Sequence, residues 1–277
     1  MVKLKSFENG FKYLEVVNAV SSAKIALQGA HIFEYKCDDK EDILWLSDAT
    51  AFEEGTAIRG GVPVCWPAFG MNNPELPQHG FSRTAMFEFV SSTALDENTT
   101  EVVLCLTHSD ESLKLWNYKF ELEFKVTISE SLVMELKTTN RDTKELILTQ
   151  ALHSYFRVSD ISNAVVYGVK DKPRLDALAN EVFTQKEDIK FSEEFDSVFQ
   201  KVENEVILED KCREVSIKNE GSSSVVIWNP WIEKGAKMSG MRADAYREFV
   251  CVESANAYED FRVLKPNEIH TLIATLR

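Results

Sequence analysis

Residues 59 to 83, "RGGVPVCWPAFGMNNPELPQHGFSR", set Arg59 and Arg83 at the ends of a segment that also carries His79, and crowd four of the chain's seven prolines and four of its eleven glycines between them. The prolines fix φ and remove donors, while the glycines open backbone paths closed to other residues, so this is a shaped loop and suits a small-molecule site. Three further segments carry groups that could do chemistry. In "TQALHSYFRVSDI" (149–161) a β-type run puts His153 two residues before Tyr155, on the same side of the pleat. "VVIWNPWIEKGAKM" (225–238) sets Trp228 and Trp231 about an Asn-Pro turn, and "EFVCVESAN" (248–256) ends an alternating apolar strand on Glu253. An imidazole and a carboxylate are the usual pair for moving protons, and tryptophan faces stack on sugar rings. By spacing alone, though, a strand histidine also reads as a core or surface residue, a strand-end glutamate as a solvated one, and two tryptophans at a turn as packing residues.

The elements that must position these groups are mostly strands. Eleven runs are rich in Val, Ile, Thr and aromatics with period-2 stretches: 11–17, 24–28, 101–107, 119–128, 132–139, 146–152, 164–169, 214–219, 225–228, 249–253 and 269–276. Turn chemistry such as "LDENTTE" and "KNEGSSS" separates them, which predicts stacked antiparallel sheets in an all-β sandwich. Helices are expected only as short excursions near 186–196 and 233–247.

Length and composition bound the rest. A chain of 277 residues, 44% hydrophobic, can bury a large core, and with no linker, low-complexity tract or repeat a single domain over 1–277 is the simpler expectation. Five cysteines (Cys37, Cys65, Cys105, Cys212, Cys251) without a C-x-x-C pair suit buried thiols in a reducing, cytoplasmic compartment better than a disulfide framework or a zinc site. The N-terminus lacks an uninterrupted apolar stretch and a cleavage site, and no later run has the length of a membrane span, so neither export nor membrane insertion is expected. A net charge of −14 repels a nucleic-acid backbone, and no stripe of basic and aromatic residues compensates.

Taken together, the segments resemble the hexose-6-phosphate mutarotases (glucose-6-phosphate 1-epimerases) of the aldose 1-epimerase superfamily. R-G-G-x-P with W-P-x-F-G at 59–70, Q-H-G-F-x-R at 78–83, L-H-x-Y-F at 152–156, W-N-P-W at 228–231 and C-x-E at 251–253 follow one another in the family's order across nearly the whole chain. The resemblance implies a galactose-mutarotase-like β-supersandwich, His153 as general acid and Glu253 as general base. It also implies substrate-binding roles for Arg59, Gln78, His79, Arg83, Asp196 of "EFDSVF" and Trp231. No metal or other cofactor is implied, and the expected partner is a small sugar phosphate met by a monomer. Ser254 stands where relatives often have proline or threonine, and Ser82 where many have alanine.

The implied chemistry is simple. Interconverting the anomers of a cyclic sugar takes a proton from the O1 hydroxyl and gives one to the ring oxygen O5, so that the C1–O5 bond opens to an aldehyde; rotation about C1–C2 and the reverse transfers close it in the other configuration. A base and an acid on opposite sides of one pocket suffice. An acidic protein gives a sugar phosphate no global steering, so a local cluster must act where the far field is already screened beyond ~8 Å, and Arg59 and Arg83 are the candidates. Three alternatives are a non-catalytic sugar-binding sandwich with Trp66, Trp228 and Trp231 as a stacking platform, an epimerase of unphosphorylated sugars, and a glycosidase. The last needs paired carboxylates, for which only Glu253 and Asp196 offer themselves.

Overall fold

The computed structural model describes every residue except 38–41, 72, 204 and 212. Among the described residues the chain forms four sheets, whose bonded neighbours are all antiparallel in the named strands. All eleven predicted runs hold strands. The run at 146–152 divides into Leu146–Leu148, which pairs with Arg262–Leu264, and Gln150–Leu152, which enters a different sheet.

The largest sheet has nine strands, and its centre shows why these residues choose β. In Phe120–Ile128 every second side chain is buried, and in Leu132–Asn140 the alternation holds until its last residues. The two strands pair along their full length, Phe124 opposite Leu136. One face therefore presents Phe120, Leu122, Phe124 and Val126 to the core, while the other carries Glu123, Lys125, Glu135 and Lys137 in cross-strand ion pairs. Each buried aliphatic or aromatic side chain contributes about 1.5–3 kcal/mol relative to exposure.

The second large sheet has eight strands. Across its middle run Phe195–Gln200, Ser224–Asn229, Phe249–Asn256, then Gln150–Leu152 and Tyr155–Arg157 side by side on one neighbour, and last the two-residue strand Val64–Cys65. Its inward residues, among them Phe199, Val225, Ile227, Val250, Val252 and Phe156, join one buried cluster with the apolar face of the nine-stranded sheet. The two sheets thus share a core, and the outward face of the eight-stranded sheet is left for other use.

A four-stranded N-terminal sheet (Val2–Ser6, Lys12–Val17, Ser21–Ala26, Ile32–Cys37) completes the frame. The expected helix near 186–196 is not there: that stretch holds the strand Ile189–Lys190 and the start of Phe195–Gln200. Near 233–247 the structure has the helix Trp231–Lys237 and the 3-10 turn Ala245–Glu248. A short helix, Asp110–Leu115, closed by a Ser109/Ser112 capping box, buries none of its residues and so leaves no apolar stripe to read in the sequence. No helix among the described residues is long and apolar enough to cross a membrane.

Candidate active site

Strand register explains how residues a hundred positions apart come together. Leu152 lies opposite Ser254 and Tyr155 opposite Cys251, so position 153 falls opposite 253. The ladder opens there: the His153 N–H donates to the Pro63 carbonyl at 3.0 Å, and the Val252 N–H to the Ser154 carbonyl at 3.3 Å. On the other flank Val226 is opposite Glu253 and Trp228 opposite Cys251, while Asp196 is opposite Trp228. Because the pleat repeats every two residues, Asp196, Val198, Val226, Trp228, Glu253, His153 and Tyr155 all project from the outward face.

Those seven side chains floor a cavity of about 750 Å³, walled by Arg59, Phe69, Gln78, His79 and Arg83 on one side and by Asn180, Lys234, Lys237, Met238 and Tyr258 elsewhere. At its base His153 Nε2 stands 3.3 Å from Glu253 Oε1, with both side chains almost wholly buried. The His153 ring lies parallel to Tyr155 at 5.0 Å and edge-on to Trp228 and His79. Burial, then the neighbouring His79 and Arg83, pushes His153 well below its ordinary pKa; burial, then Asp196, pushes Glu253 well above its own. The pair therefore holds one proton between two groups over a wide pH span.

The 59–83 segment is built into the sheets. Its Val64–Cys65 strand pairs with Gln150–Leu152, the Trp66 indole donates to Thr138 Oγ1 at 2.9 Å, and the Phe69 N–H donates to Thr149 Oγ1 at 2.8 Å. Gly80 at φ +72° is obligatory, since a Cβ there would stand 2.1 Å from the Trp66 carbonyl oxygen. His79, at φ +64°, exchanges bonds with Gly70: its N–H donates to the Gly70 carbonyl at 2.8 Å, and its Nδ1 accepts the Gly70 N–H at 3.2 Å. Burial, followed by Arg83 and Arg59, lowers His79 to about 3, so its ring is neutral and offers the Nε2–H as a donor.

Both arginines keep donor capacity. Arg59 Nη1 reaches the Tyr155 hydroxyl at 3.5 Å and Arg83 Nη2 donates to the Gln78 carbonyl, yet the buried Nε of each has no partner. Among the described residues neither arginine meets a carboxylate within ion-pair distance, although the chain carries 45 acidic residues. Asp196 is half-buried, raised by burial and drawn back by Lys234, whose Nζ lies 3.7 Å from it, 2.7 Å from Glu194 and 5.9 Å above the Trp228 ring.

The structure thus brings His153, Glu253, Arg59, Gln78, His79, Arg83 and Asp196 to one cavity. It does not bring Trp231 there. The Asn229–Pro230 turn ends the strand, the Trp231 N–H caps back onto Asn229 Oδ1 at 2.9 Å, and at φ +54° the ring swings onto Tyr246, beside a separate hollow lined by Arg174 and Phe195. Trp228 holds the cavity position instead. The sequence reading passed over Lys234 and Lys237, which reach the cavity from one helix; their i, i+3 spacing was the available signal. Ser82 and Ser254 each hold a bond of their own, to the Val64 carbonyl and to Asn219 Oδ1. Cys65 and Cys251 are buried and Cys37 and Cys105 half-buried, while Cys212 lies outside the described residues. Among the described residues no group of three or more His, Cys, Asp or Glu side chains is placed to hold a metal ion.

The chain is similar to known proteins in sequence and in fold. A protein of Escherichia coli K12, provisionally named glucose-6-phosphate 1-epimerase, is 34% identical over 257 residues, covering 90% of this chain and 84% of its own. One from Cenchrus ciliaris with the same provisional name is 35% identical over 258 residues, covering 89% and 78%. A crystal structure from Salmonella typhimurium, provisionally described as a mutarotase, superposes with a TM-score of 0.92 at 29% identity over 99% of this chain and 92% of that one. A galactose mutarotase related enzyme from Lactobacillus acidophilus, at 15% identity, shares the fold with a TM-score of 0.75 over 95% of this chain and 96% of that one. The sequence profile of the aldose 1-epimerases matches residues 13–277, and the chain belongs to the aldose 1-epimerase family.

Proposed function

We propose that the protein interconverts the α and β anomers of aldohexose 6-phosphates, glucose 6-phosphate first among them, acting as a monomer in the cytoplasm without a cofactor. The observation that carries the reading is the 3.3 Å contact of His153 with Glu253 at the base of a cavity walled by two arginines that have no carboxylate partner among the described residues. The provisional names of the E. coli and C. ciliaris relatives point to the same substrate.

Glu253 takes the O1 proton and His153 delivers one to O5. Burial favours the proton on Glu253 and a neutral His153. Its transfer across the 3.3 Å contact produces the carboxylate and imidazolium that the reaction uses, and the pair has zero net charge either way. C1–O5 cleavage then gives the aldehyde, and reclosure after rotation about C1–C2 returns both protons.

Sugar connectivity fixes which end of the cavity reads the phosphate. O5 is bonded to C5, which carries C6, so a phosphate on C6 lies on the O5 side, toward His153 and beyond it the 59–83 segment with Arg59 and Arg83. O1 and C2 then lie toward Glu253 and Asp196, where Asp196 and Lys234 meet ring hydroxyls. The guanidinium donors of Arg59 and Arg83 suit phosphate oxygens. NMR exchange spectroscopy with glucose, galactose and their 6-phosphates tests this: faster exchange of the phosphates supports it, and equal rates for free and phosphorylated sugars return the protein to plain aldose epimerisation.

A further inference from the structure

The loop after the helix Trp231–Lys237 is fastened from outside the cavity. Its first residues, Met238 and Ser239, line the cavity, and Gly240 lies against Arg59: a Cβ on Gly240 would stand 3.9 Å from the Arg59 Cβ. Two residues further on, one guanidinium meets three carboxylates. Arg242 Nε donates to Asp48 at 2.8 Å, Nη1 to Asp244 at 2.7 Å and Nη2 to Glu248 at 2.5 Å.

Asp48 belongs to the segment from which the Arg59 backbone hangs. The Ser47 N–H donates to the Arg59 carbonyl at 3.0 Å, the Arg59 N–H to Thr50 Oγ1 at 2.7 Å, and the Gly61 N–H to the Trp45 carbonyl at 2.7 Å. Glu248 is itself held, its other oxygen accepting the Trp45 indole N–H at 2.9 Å. Arg242 therefore links the loop through Asp48 and the 45–50 segment to Arg59, beside which Gly240 of the same loop passes.

A lone exposed ion pair contributes little, because ordering two side chains offsets the attraction. Here one planar fork is ordered once and serves three partners. Without it, the three carboxylates Asp48, Asp244 and Glu248 lose the cation they share.

We propose that Arg242 is a positioning residue for recognition of the substrate phosphate: it clasps the 238–248 loop to the segment that carries Arg59 and keeps that guanidinium directed into the cavity. The inference rests on the reading of Arg59 as a phosphate contact. A residue whose role is to hold a binding group acts on substrate affinity more than on turnover.

Steady-state anomerisation of α-glucose 6-phosphate and α-glucose by the wild type and by Arg59→Ala, Arg242→Ala, Arg242→Lys and Asp48→Asn separates the possibilities. A wild-type preference for the phosphate that Arg59→Ala removes secures the underlying reading; its absence overturns that reading and the clasp with it. With the preference secured, Arg242→Ala is expected to raise KM for the sugar phosphate about 5- to 30-fold with kcat within about twofold and a smaller change in KM for glucose. Arg242→Lys should restore only part of the loss. Asp48→Asn, which cuts the link while making the protein less negative and leaves two of the three pairs in place, should also raise KM for the phosphate. A KM for Arg242→Ala within twofold of wild type, or an Asp48→Asn enzyme that binds the phosphate more tightly, overturns the clasp.

Discussion

Burial drives Glu253 and His153 in opposite directions, and the two groups respond as one. The carboxyl is raised above its ordinary 4.5 and the imidazole lowered below its ordinary 6.5. Below the ordinary carboxylate pKa, Glu253 is protonated in both folded and unfolded chains. As pH rises past it, the unfolded chain releases a proton that the folded one retains, so stability is lost progressively up to the folded pKa. Replacing Glu253 by Gln removes that loss: the variant should melt higher than wild type, by a margin that grows as pH rises above the ordinary carboxylate pKa toward the raised folded one, with about 2–4 °C for each kcal/mol released. A margin independent of pH contradicts a buried, proton-retaining Glu253. The neutral His153 has the opposite sign, its contribution being present above 6.5 and lost as pH falls toward its lowered folded pKa. Catalysis, which needs one proton on the pair, should accordingly show in kcat an acid limb below the ordinary histidine range and an alkaline limb above the ordinary carboxylate range. At the same scale, Arg59→Ala or Arg83→Ala should each reduce the preference for the 6-phosphate over the free sugar about 10- to 150-fold in kcat/KM, the equivalent of ~1.5–3 kcal/mol for a charge-assisted contact. A loss falling equally on both sugars assigns the arginine to loop folding.

Elements decide whether such residues meet, and their legibility followed burial. Runs with one face in the core, such as Phe120–Ile128 and Ile269–Leu276, show their period in the residue types. Glu88–Ala94 and Glu181–Thr184 were invisible because every residue of each is exposed, and an edge strand with no buried face writes no alternation. Phe195–Gln200 is missing from the eleven runs for a more telling reason: Asp196 takes the place of an apolar side chain on the face that lines the cavity, so the site erased the pattern. The family resemblance implies a substrate-binding role for Trp231, and nothing in the residue types shows that the Asn-Pro turn parts its ring from that of Trp228. The loop motifs read best, since prolines and glycines declare backbone shape locally. Gly80→Ala tests that shape: a Cβ 2.1 Å from a carbonyl oxygen, at φ +72°, should cost well over ~1 kcal/mol in urea unfolding and depress anomerisation through displaced His79 and Arg83. Wild-type stability in this variant would show that the segment yields more than its geometry allows.

For the whole molecule, two sheets close a common core while the outward face of one is free to carry ionisable groups, and with a −14 charge the proposed phosphate capture rests on the few cations at the cavity. The proposed chemistry uses side chains alone. Activity should therefore survive EDTA and a thiol reductant, and a reversible loss on chelation, restored by a divalent ion, would be the contrary result. The most direct test of the account is the exchange rate between the anomers of glucose 6-phosphate, measured by NMR on His153→Ala and Glu253→Gln proteins shown by circular dichroism to be folded. Each should exchange ~10²–10⁴-fold more slowly than wild type, the equivalent of about 2.7–5.4 kcal/mol of barrier, and a folded variant that exchanged anomers at the wild-type rate would contradict the pairing of these two residues as acid and base.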